Sequence, residues 1–402
     1  MRNELERHHH GAAIPRDLGG TETAAARGKD LFAKTLRRFT GFSLVLTVIG
    51  VASFQPAVAD DPTKKTIPTE TSTIPANGDN NPYGVAFVPD GFPKGGKTAA
   101  GDILVSNFNA KSTVPVQGTG TTIVSISPDG TQNLFFQGTP PLGLTTALNV
   151  LKKGFVIVGN VPNNMGVAQQ GSLIVLDKDG NQLTGSPLVD STFLDGPWDS
   201  TVIDNGNSAI VFVSCVLNGT VSRLELTFSG GAVAIKSKVT IAKGYMFGPN
   251  AAAFVVGPTG LAYDTASGVL YVASTEDNEI FAVADAAKTM TAAGPGTVIF
   301  SDSTHLHGPL GLVLAPNGNL ISSQGDAINP SSDPSQQSEI VEFTKGGKGK
   351  KGGNGTFVTE FSIDSAAGSA FGIAIERNKG AITFAAVDDT MNVLTVYDFT
   401  EK

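Results

Sequence analysis

The amino-acid sequence predicts an all-β fold: a six-bladed β-propeller of four-stranded antiparallel blades, closed by an N-terminal strand lodged in the last blade. Three observations carry the prediction. One opening strand recurs six times, with its third positions 63, 52, 61, 51 and 61 residues apart. Periods of this size, each holding four short strands, are those of propeller blades. The composition agrees, because 48 glycines, 22 prolines and only 16% charged residues, beside 40% hydrophobic ones, describe many strands and turns around an ample core. Finally, the sixth unit ends at Lys402, thirty residues past its third position Gly372. That leaves room for three strands, so another segment has to supply the fourth.

The units start near residues 82, 145, 197, 258, 309 and 370, and together they make one domain over residues 60–402. The stretch 257–287 (GPTGLAYDTASGVLYVASTEDNEIFAVADAA) shows the pattern most plainly. Pro258-Thr259-Gly260 opens an apolar run to Tyr263; a glycine-containing turn leads to Val269-Leu270-Tyr271-Val272-Ala273; a polar turn leads to Ile280-Phe281-Ala282-Val283. Short apolar runs bounded by Gly, Pro, Asp and Asn are what antiparallel strands joined by tight turns require. Turns such as Pro128-Asp129-Gly130 and Lys178-Asp179-Gly180 lead to a fourth strand in five units, Asp-Gly supplying the positive backbone angles of a hairpin. For the sixth, the threonine-rich segment 65–74 is the remaining extended stretch. It is expected to pair with residues 393–397 and close the ring.

Ahead of the propeller stands a leader, residues 1–59. Lys34, Arg37 and Arg38 precede the thirteen-residue apolar run 42–54 (FSLVLTVIGVASF), and Ala57-Val58-Ala59 follows it, the three parts of a secretory signal. Thirteen apolar residues fall short of the ~20 that span a bilayer. A cleaved, secreted or periplasmic protein beginning near Asp60, with no stable membrane insertion, is therefore expected. From Asp60 onward the chain keeps 20 basic and 31 acidic residues, a net charge of −11. This argues against nucleic acid as a partner and leaves a small molecule or an envelope component. A single cysteine, Cys215, at the end of an apolar strand, excludes an intramolecular disulfide and reads as a buried structural thiol. A monomer is expected.

The repeats carry a resemblance. Gly308-Pro309-Leu310-Gly311-Leu312 with Asn317-Gly318-Asn319-Leu320, and Pro258-Thr259-Gly260-Leu261 with Gly268-Val269-Leu270-Tyr271-Val272, resemble NHL-repeat propellers and the wider six-bladed group of the gluconolactonase and senescence-marker-protein family. The resemblance covers about residues 66–400. It implies a binding face built from the loops entering each innermost strand and those joining second to third strands. On that face the candidate ligand-binding residues are Tyr83, Asn107, Asn160, Trp198, Asp199, Asp277, His307 and Asp326. A ring of amide and carboxylate oxygens suits a divalent cation such as Ca²⁺, although turns alone also favour Asn and Asp.

The lactonase-like resemblance further implies a metal-dependent hydrolase, with a Glu at the start of the first innermost strand, an Asn, and a late Asp acting as base. Asn81-Pro82-Tyr83 stands where that Glu belongs, a departure that weighs against hydrolysis, while Asn160, Asn218 and Asp277 remain as possible metal ligands. His305-Leu306-His307 has a spacing metals use, but no third ligand is identifiable. There is no C-x-x-C-H haem site and no G-x-S-x-G nucleophile elbow. The sequence thus favours a propeller that binds a small ligand or partner, with the hydrolase as the alternative. Two insertions in unit five, residues 325–338 and 345–355, are expected on opposite faces, the first as a recognition loop and the second as a solvated hairpin tip.

Overall fold

In the computed structural model the described residues are 69–112, 116–251, 253–346, 354–378 and 380–400. The expected signal with its cleavage point, and most of the lysine-glycine insertion, lie outside them. Among the described residues no helix is long and apolar enough to cross a membrane.

Six antiparallel sheets follow one another along the chain. Their innermost strands are Asn80–Phe87, Leu144–Leu151, Pro197–Asp204, Pro258–Asp264, Pro309–Leu314 and Ala370–Asn378. Each lies against the next, and the sixth returns to the first, so the sheets form a closed ring. Closure is made as expected: Thr69–Ser72 pairs antiparallel with the third strand of blade six, Thr69 opposite Val396 and Ser72 opposite Val393. Thr73, fully buried, then donates from its backbone N–H and its hydroxyl to the Asn392 carbonyl at 2.9 and 3.0 Å. Asn107 Nδ2 donates to the Thr73 carbonyl at 3.1 Å, tying the closing segment to blade one.

Blade two is the exception to four full strands. It has three, Leu144–Leu151, Phe155–Asn160 and Ser172–Leu176, and its outer position is held by two isolated bridges, Leu173 to Leu188 and Leu176 to Gln182. The reason is local. The Val175 N–H donates to the Ser186 hydroxyl at 2.8 Å instead of to a backbone carbonyl, and Pro187 has no N–H to continue a ladder.

The core is divided into six seams, one between each pair of neighbouring blades. Leu104 and Ile123 of blade one pack with Leu148 and Val156 of blade two, and Phe212 and Val221 of blade three with Leu261 and Phe281 of blade four. Polar stitches cross the same seams near the axis. Ser106 donates to the Thr145 carbonyl, Thr145 to that of Pro197, Ser214 to that of Thr259, Thr259 to that of Pro309 and Ser323 to that of Phe371.

All six innermost strands carry a register shift near their start, spanning three residues in five blades, as at Pro82/Val85 and Pro258/Leu261, and four in blade two, at Leu144/Leu148. A bulge there aims the third residue at the next blade. Glycine is needed where that approach is closest: a Cβ on Gly372 would sit 1.8 Å from the Tyr83 carbonyl, and one on Gly260 would sit 2.3 Å from that of Leu310.

Candidate functional site

Tyr83, Trp198, Leu310 and Phe371, which follow Pro82, Pro197, Pro309 and Ala370 in four of the innermost strands, meet at the upper end, where those strands begin. Tyr83 lies between Phe108 (centroids 4.3 Å apart) and Phe371 (4.1 Å), each inclined by 13°. Trp198 sets its edge on Phe108 at 5.5 Å and 70°, and Leu310 joins the same cluster. All of these rings are buried, Trp198 being 1% exposed. The upper end is therefore an aromatic plug, and Tyr83 and Trp198, expected to line a binding face, are core side chains. Burial, with Asp389 nearby, raises the Tyr83 hydroxyl well above its ordinary pKa.

Below the plug runs an axial lumen of about 310 Å³, at the low end of ligand-pocket sizes. It is lined by residues from all six innermost strands, from the level of the third position down to Phe87, Val150 and Glu376 at the lower mouth. The third positions are Gly84, Ala147, Asp199, Gly260, Gly311 and Gly372, so Asp199 alone puts a functional group on that ring. The same bulge that needs glycine elsewhere here holds a carboxylate in place. Asp199 Oδ1 accepts from the Ser200 N–H at 2.8 Å, and Oδ2 accepts from the Leu261 N–H of the next blade at 3.0 Å. Protein surrounds the carboxyl on every side but the lumen, and this desolvation raises its pKa from 3.8 to about 7 against the two N–H donors. Beside it Asn149 Nδ2 donates to the Ser200 hydroxyl at 2.6 Å. At the mouth, burial and the neighbouring Asp90 push Glu376 up as well. A second cavity of about 170 Å³ lies between blades one and six and shares Phe87 and Glu376 with the lumen.

A separate polar cluster is buried in blade five. His307 donates from its backbone N–H to Gln324 Oε1 at 3.0 Å, and its Nδ1 meets the Asn329 carbonyl. Its Nε2 stands 3.9 Å from Glu339 Oε1, beyond hydrogen-bond reach. Glu339 is 1% exposed and neither of its oxygens has a hydrogen-bond partner among the described residues, so burial, with lesser contributions from Asp326 and Glu360, raises its pKa to about 9. Burial thus favours the neutral form of its carboxyl over an ion pair with His307. Asp326 Oδ2 accepts from the Ser338 and Gly368 N–H groups at 2.7 and 2.9 Å, tying the two ends of the 325–338 insertion together and to the segment that leads into blade six.

The other expected residues serve the scaffold. Asn160 Oδ1 accepts from the Gly143 N–H at 2.8 Å while its Nδ2 donates to Ser172 at 3.2 Å. Asp277 Oδ2 accepts from the Ser274 hydroxyl at 2.6 Å and the Met246 N–H at 3.1 Å. Asn218 is held between Thr192 and Thr220. His305 diverges from His307, pairing with Glu360 at 2.8 Å and stacking on Phe357. The implied divalent cation therefore does not fit. Its candidate ligands Asn160, Asn218 and Asp277 are engaged in separate blades, and among the described residues no three His, Cys, Asp or Glu side chains converge as a metal set. Cys215 is buried, with burial pushing its thiol up to about 12.

Thr146, Asn149, Ser200 and Glu376 line the lumen and were not among the sequence candidates. One signal for the site was available: Asp199 stands where the other aligned units have glycine or alanine.

No family model matches the chain, and no curated protein matches it. Among solved structures it is similar to virginiamycin B lyase from Staphylococcus aureus, with 15% identity over 82% of this chain and 88% of that one and a TM-score of 0.45. It is also similar to a gluconolactonase from Xanthomonas campestris, with 14% identity, 83% and 90% coverage and a TM-score of 0.47. Regucalcin, a calcium-binding protein from Agrobacterium tumefaciens, gives 11% identity, 83% and 95% coverage and a TM-score of 0.47. Likenesses this distant carry no argument about activity.

Proposed function

We propose that this is an exported propeller that binds a small molecule in its axial lumen, without catalysis, and that the ligand enters from the lower face. One observation carries the reading: a lumen lined by all six innermost strands holds one oriented carboxyl, Asp199, at the end nearest the buried Tyr83–Phe108–Phe371–Trp198 cluster, while Phe87, Val150 and Glu376 at its other end are partly exposed. A cavity with mixed walls and a few fixed polar groups, here the Asp199 carboxyl with the Thr146, Asn149 and Ser200 side chains, is the usual form of a small-ligand site. The hydrolase alternative calls for a metal set, and among the described residues no three His, Cys, Asp or Glu side chains converge as one.

Cysteine accessibility tests the position of the site. Thr201 lines the lumen, whereas the native Cys215 is buried. The variant Thr201→Cys is expected to react rapidly with a small methanethiosulfonate reagent, while the parent protein stays unmodified. Thr201→Cys labelling no faster than Cys215 overturns the reading.

A further inference from the structure

The upper face carries apolar side chains that the fold itself does not use. In blade two, Asn163–Asn164 pairs with Val167–Ala168 across a turn of Met165 and Gly166, whose φ angles are 51° and 85°. A two-residue hairpin with both φ angles positive favours Asn or Gly in its first position, and a bulky side chain there is strained. Met165 holds that position and is 99% exposed, so neither turn geometry nor burial accounts for a methionine. Val167 beside it is exposed, and Met246 and Phe247, between blades three and four, are about half exposed. The two groups flank one surface. Ala168, Leu217 and Phe254 lie partly buried against the aromatic plug between them, and a Cβ on Gly118 would meet both Asn163 and the Phe254 ring at 3.2 Å. Single exposed apolar side chains need no explanation, whereas a gathered set marks an interaction surface.

Charge narrows the occupant. The upper loops of these blades, residues 161–171, 189–196, 216–219, 244–257 and 275–278, contain Asp190, Asp195, Glu276 and Asp277 and no lysine or arginine. Asp190 is paired with Lys238 of the outer strand, while the other three form no ion pair among the described residues. Such a rim repels anionic lipid and a second acidic copy of this chain, and it attracts a cation. The chain ahead of Thr69 meets the ring at the lower face, because Thr69 lies opposite Val396 and Ser72 opposite Val393. That places it away from this surface. Methionines suit a polypeptide partner, since the flexible thioether chain re-packs against whatever side chain it meets.

We propose that the upper face over blades two to four docks a basic amphipathic segment of a partner protein. Its apolar side chains rest on Met165, Val167 and Phe247, and its lysines or arginines face Asp195, Glu276 and Asp277. The lumen takes no part in this contact.

Fluorescence anisotropy on the full-length protein tests it with three labelled fourteen-residue peptides: an amphipathic one of leucine and lysine, its counterpart of leucine and glutamate, and one of lysine and serine with equal charge. The leucine and lysine peptide is expected to bind, the glutamate counterpart not to bind, and the serine peptide to bind at least tenfold more weakly. Met165→Ser combined with Val167→Ser is expected to lose at least tenfold, and Glu276→Lys at least threefold, at unchanged melting temperature. Met290→Ser, exposed in a lower-face loop, is expected to bind like the parent. Equal binding of the glutamate counterpart, or an equal loss in Met290→Ser, overturns the proposal. So does flotation with vesicles of phosphatidylcholine and phosphatidylglycerol, or a dimer in sedimentation, that the Met165 and Val167 substitutions abolish. Labelling of Thr201→Cys is independent of all these outcomes, so the lumen is judged separately.

Discussion

Truncating Trp198 to alanine is expected to destabilise the whole domain, although the residue sits in what looks by sequence like a surface turn. The side chain is 1% exposed and rests against Phe108 and Tyr83. Large aromatic-to-alanine changes in a core cost ~3–5 kcal/mol, and the lost edge-to-face contact with Phe108 adds ~0.5–1.5 kcal/mol. Against this, the indole N–H has no hydrogen-bond partner among the described residues, so its removal returns roughly 1 kcal/mol of desolvation. The net is about 3–5 kcal/mol. At ~2.1 cal/mol/K of unfolding entropy per residue, a domain of roughly 330 residues then melts about 5 °C lower. Trp198→Phe keeps an edge on Phe108 and is expected to lose about a third as much. Far-UV circular dichroism with urea follows both variants, since Trp198 is the chain's one tryptophan. In the parent, that tryptophan should emit as a buried indole and resist acrylamide quenching. An unchanged urea midpoint in Trp198→Ala, or free quenching in the parent, refutes the plug.

Deleting the chain through Thr73 unpairs the Val393–Val396 edge, and light scattering is expected to show association together with a lower melting temperature of the entire domain; a monomer of parental stability argues against closure by this strand. Asp199 has its pKa raised by folding from 3.8 to about 7, so the native state holds a proton that the unfolded chain releases. Stability is therefore lost as pH climbs from about 4 to 7, and urea midpoints of Asp199→Asn should be flatter across that window than the parent's; parallel profiles count against it. Glu339, raised from 4.5 to about 9, repeats the logic over a higher range. Glu339→Gln should exceed the parent's midpoint at pH 8 and not at pH 4, and equal gains at both values would show that proton linkage is not the cause.

The ring was legible in the sequence because its information is local. Each strand is a short apolar run between turn residues, and the deficit of one strand in the last unit pointed to residues 65–74, of which Thr69–Ser72 forms the closing strand. What lies on the axis was not legible in that way. Tyr83, Trp198 and Phe371 are far apart along the chain and meet only because six blades complete a circle, so in isolation each reads as an aromatic beside a loop. Aligned, however, they share the second position of the opening strand, which marks them as one level of the molecule. The blade spacings also alternate between long and short. The structure shows a matching alternation: Ser106, Ser214 and Ser323 donate across the seams that follow blades one, three and five, while Gly159, Ala273 and Val387 occupy the equivalent place in the others. Asn107, Asn160 and Asp277 illustrate the converse limit. A buried amide or carboxyl that satisfies backbone groups has the same sequence signature as one that faces a ligand.

Ring closure also sets the order of events in making the protein. The bonds from Thr73 to Asn392 join residues 319 apart, so the first strand of the propeller to be synthesised has no partner until the last is finished. Until then blade one and blade six each present a bare seam, and Val85, Val105, Ala385 and Val387, which meet in the finished molecule, face solvent separately. Contacts between such distant parts of a chain form late and slowly. The arrangement therefore acts as a clock. A chain emerging or threading N-terminus first stays an open, incomplete arc throughout its passage, and it locks into a rigid ring only after its C-terminus has arrived.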